Sequence, residues 1–151
     1  MLSFPNESKD YRQARNKLID LEIDARRAIE AAAIARRALP LGGKVPEDFI
    51  FEECDAGGNV RQVRLSELFT PPSPTLVIYS YMFGPKREEP CPMCTGMLDG
   101  LNGVATHLRQ RAAFVVVAQS PAKRLFDWAR GRDWQLRLVS AGNNKYNSLY
   151  A

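Results

Sequence analysis

Cys91 and Cys94 stand in the stretch EEPCPMCTG with only Pro92 and Met93 between them. Thiols at that spacing can serve three chemistries. One sulfur can attack a disulfide as a thiolate while the other resolves the mixed disulfide; the pair can form half of a tetrahedral metal site; or one thiolate can attack a peroxide. A pair without chemistry is the bland alternative, because CxxC alone is only moderately specific. Zinc needs four ligands, and beyond this pair the chain offers only Cys54 and His107. The spacing predicts His107 about four turns along the helix that starts at Cys91, out of reach of a shared ion. It reads better as a half-exposed surface residue, and Cys54 as an incidental thiol. A peroxidatic cysteine calls for a hydroxyl-bearing residue three positions earlier and a proline seven earlier, where this chain has Glu88 and Gly84. Peroxidase is the weaker alternative, and no cofactor or metal is expected.

Placement separates the dithiol from coincidence. Thr75–Phe83 (TLVIYSYMF) is apolar and β-branched at its start, as a strand covered on both faces would be. Residues 92–111 follow as a predicted helix, with Met97, Leu98, Leu101, Val104, Ala105 and Leu108 on one side and Gly96, Gly100 and Gly103 weakening it. The pair therefore falls between the carboxyl end of a strand and a helix start, where chemistry gathers in open α/β sheets. Cys91 is the expected N-cap, and Pro92 takes the first helical position, where its missing N–H costs nothing. Unpaired N–H groups and the positive end of the helix dipole favour a thiolate on Cys91, with Cys94 one turn on as the resolving sulfur. Lys86 and Arg87 reinforce that thiolate; Glu88 and Glu89 oppose it.

Further elements complete the frame. Ala113–Ala118 (AFVVVA) is a predicted buried strand, residues 121–130 a helix with Ser120 as cap and Pro121 at its first position, and Gln135–Ser140 a third strand. Strand–helix–strand–helix–strand implies right-handed crossovers and a parallel sheet. Ahead of them, Asp48–Glu52 and Asn59–Leu65 form a predicted hairpin around Asp55–Gly58, followed by a helical turn at Ser66–Phe69 and a stiff connector, Pro71–Pro74. Residues 6–39 carry the longest periodic pattern. Tyr11, Ala14, Leu18, Leu21, Ala25, Ala28, Ala32, Ala35 and Leu39 make an a/d stripe, begun by Asn6 or Ser8 and ended by Pro40 and Gly42–Gly43. A dimerising coiled coil is one reading. The alanine content favours packing against a surface of the same chain or of a second copy. Two segments result: residues 1–43, the amphipathic helix, and residues 44–151, the α/β domain.

The chain has 151 residues, 45 % apolar and 25 % charged, enough for one filled core of ordinary soluble composition. A net charge of +4 without a basic stripe gives no reason to expect nucleic acid as a partner. The opening MLSFPNESKDYR lacks a basic stretch followed by an apolar core, so no secretory signal is expected. The longest apolar run, Leu76–Phe83, falls well short of the ~20 residues of a membrane span. A cytoplasmic location follows as the expectation, and three cysteines with one close pair argue against a structural disulfide framework.

Four stretches, FPNES…YRQARNKLIDLEIDARR, RRALPLGGKVPEDFIFE, VRLSELF and YMFGPKREEPCPMCTGMLDGLNG, together resemble the bacterial domain of unknown function 899 over nearly the whole chain. That family is a thioredoxin-like group related to alkyl hydroperoxide reductases and thiol-specific antioxidants, and YMFGP…CPxC…DG is its most specific part. The resemblance implies a thioredoxin-like fold and a thiol–disulfide oxidoreductase role with Cys91 and Cys94 at the dithiol positions. A disulfide-containing protein or small-molecule disulfide would be the substrate, and an external thiol the reductant. Thioredoxin itself carries tryptophan where this chain has Pro90. A thioredoxin fold also continues past its third strand into a cis-proline strand, a hairpin partner and a last helix. This chain has no proline after Pro121 and ends at SAGNNKYNSLYA, so those strands are expected to be missing. The first parallel strand would then keep an open edge, a second site besides the long helix for forming a homodimer.

Overall fold

The computed structural model describes residues 4–71 and 73–150, in two compact units, Met1–Lys44 and Val45–Ala151. Pro72 of the expected connector and Ala151 lie outside the described residues.

The first unit is one long helix, α1 (Lys9–Arg37). Ser8, not Asn6, caps it: the Tyr11 amide donates to Ser8 Oγ at 3.1 Å. Arg36 and Arg37 lie in the last turn, where positive charge suits the helix dipole. Ion pairs Arg15–Glu22, Arg26–Glu30 and Arg27–Asp24 run along its surface, and none of its side chains is buried.

The second unit is a mixed α/β domain. Its elements are β1 (Ile50–Cys54), β2 (Val60–Arg64), a 3₁₀ turn (Leu65–Leu68), β3 (Leu76–Ser80), α2 (Pro92–Gly103), α3 (Ala105–Arg109), β4 (Ala113–Ala118), α4 (Ala122–Gly131), β5 (Arg137–Ser140) and α5 (Tyr146–Tyr150). They build a five-stranded sheet in the order β2-β1-β5-β4-β3. The β3–β4 and β4–β5 pairs are parallel; the β1–β2 hairpin is antiparallel, and β1 joins β5 antiparallel through Glu52 and Ser140.

Alternation along β4 divides the core between the two faces of the sheet. Val115 and Val117 join Phe49, Phe51, Leu65, Leu68 and Tyr146 on one face. Val116 and Ala118 join Leu98 of α2, Ala105 of α3 and Leu125 and Ala129 of α4 on the other. The helix that carries the dithiol is held down by Leu98, which has no exposed surface.

Several expectations need correction. The strand preceding the dithiol is not covered on both faces: β3 is an edge strand, and Val77 remains 43 % exposed. The helix expected over 92–111 breaks at Val104, which takes φ −112° and ψ 12° straight after Gly103. His107 therefore lies on a separate helix and is exposed, and Met97 and Val104 are exposed rather than packed. Ser120 does not cap α4. Pro121 is the N-cap, and Ser120 is fully buried with its Oγ unpartnered, while its amide bonds the Phe83 carbonyl at 2.8 Å. The first hairpin strand starts at Ile50, not Asp48, because the Asp48 carboxylate turns to the Ser66 amide and hydroxyl at 2.9 and 2.8 Å. The third parallel strand starts at Arg137, not Gln135, whose amide is taken by Asn102 Oδ1 at 2.6 Å. The terminal helix α5 has no counterpart among the sequence expectations. Its Tyr146 packs edge-on against Phe49 and Phe51.

Candidate active site

The chain leaving β3 runs through Tyr81–Pro90 before α2 begins. Tyr81 and Phe83 are buried, and the Tyr81 amide bonds the Val117 carbonyl at 2.8 Å, continuing the sheet direction past the last formal β3 residue. Arg124 of α4 holds the loop that follows: its guanidinium donates to the carbonyls of Pro85 at 3.3 Å and Glu88 at 2.9 Å and lies 4.9 Å from the centre of the Phe83 ring. Pro90, the residue before the dithiol, is buried.

Cys91 occupies the N-cap of α2 with φ −59° and ψ 122°, and Pro92 stands at the first position. Its amide donates to the Met82 carbonyl at 3.0 Å, and its carbonyl accepts the first helical bond from Thr95 at 3.0 Å. The Thr95 hydroxyl also donates to that carbonyl at 2.9 Å and is joined to the Tyr81 hydroxyl at 2.7 Å. These contacts fix the backbone of Cys91 at the start of the helix, where its side chain makes no capping hydrogen bond. The Cys94 amide there, then the Cys94 side chain, the Met93 amide and the Arg87 charge pull the Cys91 thiol below the ordinary thiol range, against a smaller desolvation effect. All three cysteines are free thiols; Cys91 and Cys94 are half-buried, while Met93 between them is 84 % exposed.

Tyr79 is the site residue that sequence reading missed. It packs against the same apolar cluster as Cys94, and the nearness of Cys94, with partial burial and the proximity of Cys91 and Tyr81, pushes the phenol up to about 12. The available signal was strand alternation: Leu76 and Ile78 pack on one face of the sheet, so Tyr79 turns to the face that α2 covers.

Cys54 and His107 are not part of this site. Cys54 ends β1, where burial, more than its acidic neighbours, pushes its thiol up. Among the described residues no three His, Cys, Asp or Glu side chains are placed to share a metal ion. A cavity of about 650 Å³ lined by Glu53, Cys54, Phe126 and Trp134, and one of about 590 Å³ lined by Leu65, Leu76, Ile78 and Tyr146, both lie away from the dithiol. No described helix is long and apolar enough to cross a membrane.

The fold and site define a mixed α/β protein with a half-buried dithiol at a helix start, beside the edge strand of its sheet. The family described as bacterial protein of unknown function, DUF899, matches residues 1–151, and the chain belongs to it. Comparison with curated proteins and with solved structures gave no match.

Proposed function

We propose that the chain is a thioredoxin-like thiol–disulfide oxidoreductase in which Cys91 is the nucleophile and Cys94 the resolving thiol. The observation that carries the reading is the Cys91 sulfur at the N-cap of α2, its thiolate favoured by the amides of Met93 and Cys94. The parallel β3–β4–β5 core, with its dithiol helix in the first crossover, agrees with a thioredoxin-like relationship. In the forward direction the Cys91 thiolate attacks one sulfur of the substrate disulfide, and the other substrate sulfur leaves as a thiolate. Cys94, as a thiolate, then displaces the remaining substrate sulfur from Cys91. The substrate disulfide gains two electrons and the Cys91–Cys94 pair becomes a disulfide, which an external thiol reductant returns to the dithiol. Exposed Met82, Met93 and Met97 give the surroundings a soft apolar surface suited to a polypeptide disulfide.

Mild oxidation followed by peptide mass spectrometry is expected to find a Cys91–Cys94 disulfide. The wild-type chain is expected to reduce insulin in the presence of dithiothreitol, and Cys91→Ser to abolish that activity. A wild-type chain with neither the disulfide nor reductase activity would overturn the proposal.

A further inference from the structure

No side chain of α1 is buried, and Tyr11, Leu18 and Leu21 of its a/d stripe are 50, 47 and 66 % exposed. With Tyr11 and Leu18 at a and Leu21 at d, alanines fill the remaining layers as far as Ala35. The charges beside this seam have a spacing that a single helix cannot use. Asp10 and Lys17 fall at g, Arg15 and Glu22 at e, so Asp10 stands five residues before Arg15 and Lys17 five before Glu22. Residues five apart point about 140° away from each other around a helix, whereas ion pairs within one turn form three or four apart. In the structure Arg15 instead reaches along its own flank to Glu22 at 2.9 Å, and among the described residues neither Asp10 nor Lys17 makes an ion pair.

We propose that two copies of the chain pair in parallel through α1, with Tyr11, Leu18 and Leu21 in register along the seam. Five residues is the step from g of one helix to e of its neighbour in a parallel pair. Asp10 then faces the partner's Arg15, and Lys17 the partner's Glu22. Because Arg15 already holds Glu22, each flank becomes a row of alternating sign: the partner's Asp10, Arg15, Glu22 and the partner's Lys17. The other g positions bring no like charges together, since Asp24 meets Ile29 and Ala31 meets Arg36. An antiparallel pair that kept the same seam layers would set Glu22 against Glu22 and Asp24 against Asp24 beside its axis. The alanines from Ala25 onward allow close approach without choosing a partner; the choice lies in residues 10–22. A helix of 29 residues is roughly 44 Å long, and a seam about 10 Å wide along it buries roughly 900 Å² from the two copies together. That area belongs to weak, reversible complexes, so the dimer depends on concentration. The proposal does not rest on the oxidoreductase reading.

Sedimentation equilibrium of the full chain under reducing conditions, from low to high micromolar concentration, tests the proposal. The average mass is expected to rise from 17.0 kDa to a plateau at twice that value. Lys17→Glu and Glu22→Lys each turn both symmetry-related contacts from attraction into repulsion. Either variant alone is expected to raise the dissociation constant of the dimer roughly tenfold to thirtyfold. Mixed in equal amounts, the two variants restore opposite charges at every such contact, and the dimer is expected to recover most of its strength. Circular dichroism on each variant checks that the helix is intact. A wild-type chain that stays at 17.0 kDa throughout, or that levels off above twice that mass, overturns the proposal whether or not the variants fold. A dimer indifferent to both variants overturns it in favour of another surface, such as the edge of β3. A mixture no stronger than the single variants overturns the parallel arrangement.

Discussion

Thr95→Val tests how the dithiol helix is fixed. The substitution keeps the side-chain shape and removes one oxygen, which bonds the Tyr81 hydroxyl at 2.7 Å and the Cys91 carbonyl at 2.9 Å. Thr95 is 7 % exposed and Tyr81 4 %, so water does not readily replace what is lost. The Cys91 carbonyl keeps its bond from the Thr95 amide at 3.0 Å, and its share of the loss is one ordinary hydrogen bond, about 1 kcal/mol. The Tyr81 O–H is left buried without its acceptor, which costs about 1–2 kcal/mol more. Together these give about 2–3 kcal/mol and a fall in Tm of roughly 5–10 °C. Tryptophan fluorescence is the suitable probe, because Trp128 and Trp134, the chain's only two tryptophans, both lie in the α/β unit, leaving α1 silent. Tyr81→Phe in the same chain removes the stranded hydroxyl, so the double variant is expected to recover about 1 kcal/mol relative to Thr95→Val alone. Two single losses that simply add, or a Thr95→Val chain as stable as wild type, would refute the network.

Arg137→Leu is expected to cost about 1–3 kcal/mol by urea denaturation: Glu53, almost fully buried, loses the partner at 2.8 Å and keeps only the more exposed Arg61 at 2.6 Å. Gly58→Ala is expected to destabilise the hairpin by about 1–2 kcal/mol, since Gly58 has φ +82° and a Cβ there would lie 3.1 Å from Phe126 Cε1; calorimetry checks it. The lowered Cys91 pKa makes a signed contribution to stability. It is present above the ordinary thiol value, where the thiolate is the folded-state form, and is lost as pH falls through the lowered one. Cys91→Ser is therefore expected to flatten that part of the stability–pH curve.

Legibility follows the strength of local signals. AFVVVA has one plausible conformation, and Ala113–Ala118 is a strand to the residue. Pro92 fits a helix only in its first turn, so the place of Cys91 at the cap is legible in the residue types alone. What fails to show depends on long-range partners. The start of β1 is set by Ser66 capturing Asp48, and the start of β5 by Asn102 capturing the Gln135 amide. The exposure of β3 follows from its place at the sheet edge, which its apolar composition does not encode. The break at Val104 is foreshadowed by Gly100 and Gly103, whose helix cost weakens the segment without singling out one residue. Tyr79 is hidden because the cluster it shares with Cys94 is assembled from distant segments and its type is ordinary for a strand.

The most direct measurement is ultraviolet titration of thiolate formation in wild type, Cys91→Ser and Cys94→Ser chains. A wild-type transition clearly below the ordinary thiol value of about 8.5, absent in Cys91→Ser and retained in Cys94→Ser through the backbone amide at position 94, is the predicted result. Cys54 titrates later, above the ordinary value, and does not obscure it. A Cys91 that ionises at or above the ordinary value would contradict the claim that the start of α2 activates this sulfur.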